Sequence, residues 1–330
     1  MKEIKVVVTM DCEPRKSAQH PEATGPAEWS LGQRAVEGYA AIARRYGFPV
    51  TLFVHPETAI AQADIYGRLR DDGACLGLHI HAWKFALSYH GGQRYMAHYG
   101  GLSEEEQRGL LGEAGALWQS AFGEWPLYFR PGTFSANDSM FRVLVDMGFR
   151  GGSCSIPGRA MPEMQAIWTG AQPDVHRAHA CFRQIAGTLD FVNMPLAVDL
   201  SRSLKTAKGW VIHPDLRPDI DWQKQYGLSY AEIADSMVEQ IIQRSPRVPV
   251  INLVSHNHFD YSNAADPAAL RLVQSLDAIK QACGKAGVDM VGATLKQVVD
   301  EMLVLPAELD PPVFEGNVMD KKSRKVSSAS

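Results

Sequence analysis

The sequence predicts an α/β protein, a distorted (β/α) barrel of about seven to eight parallel strands in a single domain. Short apolar, β-branched runs alternate with helical patterns along most of the 330 residues. This alternation favours a parallel sheet with helices outside it, and about eight strands favour a closed or nearly closed barrel. Polar fragments follow three of the runs, at the strand ends where such barrels form their sites.

The first strand is predicted over residues 4–10 (IKVVVTM), whose apolar run is typical of a strand buried on both faces. The competing architecture is a doubly wound open sheet. No G-x-G-x-x-G follows the first strand and no G-x-x-x-x-G-K-[ST] occurs, so nucleotide binding has no support. We predict the other strands, in chain order, over residues 49–54, 75–81, 127–130, 190–198, 209–213, 248–254 and 288–292.

Helix signals lie between most of these strands. Residues 34–46 carry apolar side chains at helical spacing, and Gly47 then ends the helix. Asn137 is predicted to cap a helix that runs through Met147. Capping boxes or an N-terminal proline mark three more helix starts, at Ser229 with Glu232, Thr294 with Gln297, and Asp266-Pro267. Long loops are predicted over 14–30, 84–103 and 153–180, and we expect them to build the walls of a pocket.

The composition, 45% hydrophobic and 21% charged residues, is ordinary for a soluble globular protein. The formal net charge of -4 provides no basic field, so we expect neither nucleic acid nor a membrane as partner. We find no signal-peptide pattern and expect a cytoplasmic protein. The five cysteines show no C-x-x-C spacing, which indicates buried, reduced thiols.

We assign residues 1–310 to the barrel domain. Residues 311–330 end in the Lys/Ser-rich sequence KKSRKVSSAS and are predicted to be a disordered tail. The sequence leaves open whether the chain forms a homo-oligomer.

Two pairs of polar residues stand at strand ends with one residue between them, Asp11 with Glu13 and His79 with His81. Side chains at i and i+2 of a strand point to the same side, so each pair can face a common cavity. Carboxylates and imidazoles that converge there would form a divalent-metal site surrounded by acid–base groups. Helix capping or an ion pair is the alternative for the carboxylates, and ordinary polar strand ends are the alternative for the histidines.

Two further strand ends carry candidates for catalysis. His256 and His258 follow the apolar run 251–254, and a histidine there can donate a proton because its ordinary pKa lies near neutrality. We expect one of the two to be structural, and the sequence does not decide which is the acid. Arg130 ends the run 127–129, where it can orient a carboxylate bidentately or form a plain ion pair.

Taken in order and in strand context, these fragments resemble the polysaccharide deacetylase family, the NodB-homology group of metal-dependent amide hydrolases. The similar segments cover most of residues 5–303 and include VVVTMDCE, FPVTLFVHPE, CLGLHIHAW, LYFRPGTFSANDSMFRVLVDMGFRGGSCS, VINLVSHNHFD and VGATLKQVVDEM. The resemblance implies a distorted barrel, commonly of seven strands, and hydrolysis of N-acetyl groups or related amides.

The resemblance also implies a metal centre. Glu13, His79 and His81 match the metal ligands, and Asp11 matches the general base that deprotonates the metal-bound water. The commoner family pattern has adjacent aspartates and histidines four apart, whereas this chain has D-x-E and H-x-H. We therefore expect a divergent branch in which the i, i+2 geometry supplies the ligands.

The remaining roles are implied in the same way. Arg130 matches the arginine that orients the base, and His256, in Leu253-Val254-Ser255-His256, matches the histidine that acts as general acid. Asp199, in the segment MPLAVDL, is a candidate for the carboxylate that partners the arginine.

We therefore expect a metal-dependent hydrolase that cleaves a C–N amide bond through a metal-bound water. The expected substrate is a small soluble or sugar-type compound that loses an N-acetyl or other N-acyl group. The expected cofactor is a divalent metal ion, zinc first, with cobalt or nickel as alternatives. A cyclic amidase or a deformylase on the same scaffold remains open, as does a catalytically silent barrel that binds a small ligand.

Overall fold

The first strand, β1 (Glu3–Cys12), lies inside the main sheet, and every residue from Val6 to Cys12 is buried. In this computed structural model, which describes residues 1–16 and 24–307, parallel strands pair with β1 on both sides. A strand with neighbours on both edges and helices on its outer face has no polar side to expose, which explains its continuous apolar run.

The remaining strands are β2 (Val50–Val54), β3 (Cys75–Ile80), β4 (Tyr128–Pro131), β5 (Gly151–Gly152), β6 (Ala160–Met161), β7 (Ala166–Ile167), β8 (His176–Arg177), β9 (Val192–Asn193), β10 (Leu204–Lys205), β11 (Val211–Ile212), β12 (Val250–His256) and β13 (Asp289–Gly292). The helices are α1 (Trp29–Arg45), α2 (Pro56–Asp71), α3 (Ala82–His90), α4 (Glu104–Phe122), α5 (Met140–Asp146), α6 (Trp222–Tyr226), α7 (Tyr230–Arg244), α8 (Pro267–Ala286) and α9 (Leu295–Val304).

The strand order confirms the predicted α/β distorted barrel. Neighbouring strands follow the order β12–β1–β2–β3–β4–β5–β9–β8, and β13 pairs with the first residues of β1. Eight of these strands run parallel, and β8 alone is antiparallel to its neighbour β9. The carboxyl ends of β1, β3, β4 and β12 lie at one end of the barrel, which we call the barrel mouth.

Two of the predicted strands are wrong in length or in place. Only Val192–Asn193 of the predicted strand 190–198 is a strand, because the backbone beyond it turns to loop residues and Pro195 has no N–H to donate. The prediction for 209–213 shortens to β11, which lies outside the barrel. It belongs to a small antiparallel sheet of order β10–β11–β6–β7, since a tight turn at Gly209 folds it back on β10.

The helix and loop predictions hold in part. Both capping boxes and the start of α8 at Pro267 are confirmed. Helix α1 begins at Trp29, before the predicted residue 34, and α5 begins at Met140, because the side chain of Asn137 accepts from Ser139 instead of capping the helix. The predicted loop 84–103 contains most of α3, and 153–180 contains three short strands.

The structure also bears on the predictions for the cysteines, for membrane spans and for the tail. Cys12, Cys75, Cys154 and Cys283 are buried free thiols as expected, whereas Cys181 is exposed. Within residues 1–16 and 24–307, none of the helices has the length and apolar character needed to cross a bilayer. The predicted tail, 311–330, lies outside the described residues.

In the described residues, β12 does not pair with the strands at the other edge of the sheet. Asn252 of β12 instead connects the two edges through hydrogen bonds. Its backbone carbonyl accepts from the N–H of Ala197 at 3.1 Å. Its side-chain Nδ2 lies 2.9 Å from Ser153 Oγ and 3.1 Å and 3.3 Å from the carbonyl oxygens of Pro195 and Met194. One buried amide therefore holds β12 to the segments that follow β5 and β9.

We predict that Asn252→Ala lowers the free energy of unfolding by about 2–3 kcal/mol, because buried acceptors lose their donor. Urea denaturation monitored by circular dichroism measures the change. Gln281→Ala, which removes an exposed amide from α8, is the control and should change stability by less than about 0.5 kcal/mol. Equal stability of the Asn252 variant and the wild type would contradict this role.

Candidate functional site

The sheet register brings the predicted residues together at the barrel mouth. Asp11 stands opposite His256 in the pairing of β1 with β12, and His79 stands opposite Arg130 in the pairing of β3 with β4. Glu13 follows directly after β1 and is fully buried. Strands far apart in sequence thus place their terminal side chains in one cavity.

Glu13, His79 and His81 form a buried cluster whose donor atoms all lie within 4.8 Å of one another. Glu13 Oε1 lies 2.9 Å from His81 Nε2 and 3.4 Å from His79 Nε2. The Nδ1 of His79 lies 3.0 Å from the carbonyl oxygen of Arg130, so it carries the proton and Nε2 is left free toward Glu13. One carboxylate and two imidazoles with this orientation fit a divalent cation of borderline softness.

Lys84 holds the carboxylate of Glu13 from the other side, and Asn257 holds its backbone. Lys84 Nζ lies 2.8 Å from Glu13 Oε2, and the side chain of Asn257 bonds both the N–H and the carbonyl of Glu13 at 3.0 Å. Burial raises the pKa of Glu13, but its interactions with His81, Lys84 and His79 outweigh this and hold the pKa well below its ordinary value. Glu13 is therefore an anion and is fixed in place.

Asp11 is paired with the buried guanidinium of Arg130. Arg130 donates from one Nη to Asp11 Oδ1 at 2.7 Å and from the other to Thr9 Oγ1 at 2.8 Å, so the pairing uses one N–H and is not bidentate. Burial raises the pKa of Asp11, but the charges of Arg130, His79 and His256 together lower it below its ordinary value. The second oxygen, Oδ2, remains available at the barrel mouth.

His256 faces Asp11 from the adjacent strand, with Nε2 at 4.0 Å from Asp11 Oδ2. On its other side Nδ1 lies 2.5 Å from Asp219 Oδ2, and Ser255 Oγ donates to Asp219 Oδ1 at 2.6 Å. Burial lowers the pKa of His256, but Asp219 and then Asp11 more than compensate, so the pKa is raised. Among the residues that the structure describes, no carboxylate pairs with the neighbouring His258, and burial lowers its pKa to about 4.

Sequence reasoning missed Asp219 and Lys84. Asp219 belongs to the acidic stretch Asp215–Asp221, which has no strand pattern that could place it at the barrel mouth. Lys84 stands three residues after His81 in the first turn of α3, and this spacing is the one signal that could have pointed to it.

The predicted partnership of Asp199 with Arg130 is wrong. Asp199 is fully buried outside the barrel mouth, where Oδ2 accepts from Arg202 at 2.7 Å and Oδ1 accepts from Ser236 and Gln240 at 2.8 Å. The chain bends away after β9, and Val198 pairs with Asp215 in an isolated bridge. The carboxylate that Arg130 contacts is that of Asp11.

The segment after β4 packs unusually closely on the cluster. A Cβ on Gly132 would lie 2.3 Å from His81 Nδ1, so only glycine leaves room for the imidazole ring. The next two residues, Thr133 and Phe134, have positive φ angles of 54° and 56°. Such backbone strain in non-glycine residues is typical of functional sites.

Neither a protein-family model nor a curated protein sequence matches the chain. Solved structures do match it. A protein from Mycobacterium smegmatis that bears the name polysaccharide deacetylase superposes with a TM-score of 0.52 at 15% identity, covering 95% of this chain and 96% of that one. The fold is similar to that of polysaccharide deacetylases.

Two further structures have the same fold. A Pseudomonas aeruginosa PAO1 protein, also named for polysaccharide deacetylase, gives a TM-score of 0.52 at 11% identity and covers 90% of this chain and 91% of its own. Puue allantoinase gives 0.53 at 11% identity and 92% coverage of both chains. At these identities the comparisons establish the barrel architecture, and the chemistry has to be argued from the site itself.

We predict that Asp219→Asn lowers the pKa of His256, because it removes the nearest negative charge and leaves the effect of burial in place. At a fixed pH near neutrality His256 should then be protonated in a smaller fraction of molecules. NMR titration of the histidine ring carbons measures the pKa in both proteins. His98, whose pKa is lowered by burial, is an internal control whose titration should stay the same. An unchanged His256 titration would contradict the assigned role of Asp219.

Proposed function

We propose that this chain is a metal-dependent hydrolase that cleaves a C–N amide bond and removes an N-acetyl or other N-acyl group from a small, soluble or sugar-type substrate. One observation carries the proposal: the cluster of Glu13, His79 and His81 shares a cavity with an ionised carboxylate, Asp11, and a histidine of raised pKa, His256. A ligand set, a base and an acid in one cavity are the groups that amide hydrolysis needs.

Glu13, His79 and His81 would hold the cation. A divalent ion held there would polarise the scissile carbonyl and lower the pKa of a bound water towards neutrality. Zinc is the first candidate for this ligand set, with cobalt or nickel as alternatives. Lys84 would keep the carboxylate of Glu13 oriented and Asn257 would fix its backbone, as partners of metal ligands do in other sites.

Asp11 acts as the general base in this mechanism. Arg130 restrains Oδ1, so Oδ2 is the oxygen that takes the proton of the attacking water. The lowered pKa of Asp11 keeps it ionised and ready to accept a proton at neutral pH.

His256 acts as the general acid. Its Nδ1 donates to Asp219, and its Nε2 proton points toward Asp11, where the departing nitrogen would receive it. The 4.0 Å between Nε2 and Asp11 Oδ2 is longer than a hydrogen bond, so His256 and Asp11 are not hydrogen-bonded to each other. His256 rather than His258 is proposed as the acid because His258, with a pKa of about 4, is neutral at pH 7.

A second candidate function is the opening of a cyclic amide, which the structural similarity to an allantoinase favours. The two reactions share water attack and protonation of nitrogen, but a cyclic substrate keeps both halves in one product. Product analysis distinguishes them: acetate release indicates a deacetylase, formate release a deformylase, and ring opening without a small acid a cyclic amidase.

We expect purified protein to retain about one divalent ion per chain after dialysis, and Glu13→Ala/His79→Ala to lose it because two of three ligands are gone. Plasma mass spectrometry measures the content. His98→Ala, which removes a half-buried histidine outside the cluster, is the matched control and should keep the ion. A wild type that stays metal-free after incubation with excess zinc or cobalt would contradict the metal site and favour a catalytically silent, ligand-binding barrel.

Asp11→Asn should keep the metal and lower kcat by about 10²- to 10⁴-fold, the usual contribution of a general base. The readout is acetate release from a panel of N-acetylated sugars and amines, together with metal content. Asp235→Asn, at an exposed ion pair with Lys285, is the control and should retain activity. Full activity of the Asp11 variant would remove Asp11 from the mechanism.

A further inference from the structure

Arg159 is a charged residue for which the mechanism above has no use. Its side chain is partly buried and its Nε is fully enclosed. Within residues 1–16 and 24–307, no atom accepts a hydrogen bond from its guanidinium and no carboxylate pairs with it. An enclosed cation without a partner is costly, because its lost hydration is not replaced.

The local backbone holds Arg159 beside a second arginine. Gly158 has a φ of +75°, and a Cβ there would lie 2.1 Å from His213 Nε2, so only glycine allows this approach. Ala160 then pairs with Val211 of β11. The loop that carries Arg159 is thereby fixed against residues 211–213.

That second arginine, Arg217, is already neutralised. Its Nε donates to both oxygens of Asp215 at 2.9 Å and 2.8 Å, and 11% of its side chain is exposed. Asp215 is therefore paired with Arg217, and the positive charge of Arg159 stays in excess. Burial, followed by the charge of Arg217, lowers the pKa of Arg159 to about 9, and Asp215 offsets this only in part.

This excess charge lies next to the barrel mouth. The Cζ of Arg159 lies 5.9 Å from the centre of the Phe134 ring, and Cζ of Arg130, which binds Asp11, lies 5.3 Å from the same ring. Arg217 is two residues from Asp219, the partner of His256. The carboxylates of Asp219 and Asp11 are also near enough to raise the pKa of Arg217, against the effect of its burial.

We propose that Arg159, supported by Arg217, binds an oxyanion of the substrate, a carboxylate or a phosphate carried on the same molecule as the scissile amide. The inference rests on the proposed hydrolase function and narrows its substrate class to anionic N-acyl compounds. A guanidinium matches both anions because its N–H groups are arranged as a fork. The bound anion would replace the partner that Arg159 lacks.

The alternative is a purely structural role, in which Arg159 packs on Phe134 through a cation–π contact. The two roles predict different thermal stabilities for the Arg159→Gln variant in the absence of anions. If Arg159 is a structural support, Arg159→Gln should lower Tm. If Arg159 is an anion site, the same change removes an uncompensated charge, so Tm should stay equal or rise while the response to anions is lost.

The test is thermal unfolding of the purified protein, titrated with sodium phosphate and with sodium glycolate at constant ionic strength. We expect one or both anions to raise the Tm of the wild type, and Arg159→Gln to weaken the apparent affinity roughly tenfold or more. Arg159→Lys, which keeps the charge but not the fork, should give an intermediate response. Arg108→Gln, at the exposed Arg108–Asp146 pair, should behave like the wild type.

The anion that raises the Tm of the wild type more identifies the anionic group of the substrate. Phosphate indicates a phosphorylated substrate, and glycolate indicates a carboxylate. Equal stabilisation of wild type and Arg159→Gln, no response in the wild type, or a lower Tm of Arg159→Gln without anion would each overturn the proposal.

A His79→Ala variant separates this inference from the proposed function. Its anion response should match that of the wild type, because the site lies outside the metal cluster. A response lost in His79→Ala would place the anion at the cluster and overturn the Arg159 site alone. A retained response in a protein without metal or amide hydrolysis would leave the anion site standing and overturn the hydrolase.

Discussion

Carboxylates buried at the end of β1 have to be neutralised inside the protein, and this constraint organises the barrel mouth. Glu13 is fully enclosed, and its carboxylate contacts the imidazoles at the end of β3 and the ammonium of α3, while the amide of Asn257 after β12 holds its backbone. Asp11 meets Arg130 from β4. The chemistry of the cavity therefore depends on contacts that also hold β1, β3, β4 and β12 together at the barrel mouth.

The charges of the cavity are paired in a definite order. Arg130 is bound to Asp11, and His256 is bound to Asp219, so the proposed base and the proposed acid each have one fixed partner. Arg159 is the exception, because it brings a positive charge close to Phe134 and pairs with no carboxylate in the described part of the chain. The other charged groups of the cavity are neutralised in pairs. A negatively charged ligand would supply the charge that Arg159 lacks.

Structures at 11% to 15% identity share the barrel, although no family model matches the sequence. The physical reason is that the fold needs only buried strands of the right period and helices to cover them, which many sequences supply. The site needs more, since each donor must stand at a particular strand end. Asp11, Glu13, His79 and His81 satisfy this through i, i+2 spacing, which keeps both members of a pair on one side of a strand.

The sequence by itself determined the parallel sheet and most of the cluster, because an apolar run, its end and the spacing of residues after it are local properties. It did not place Asp219, which reaches His256 across 37 residues from a loop without a pattern, nor Lys84. It also assigned Asp199 to an arginine that pairs with Asp11 instead. Only the tertiary structure decided these partners, because the pairing of buried charges depends on where loops return in space.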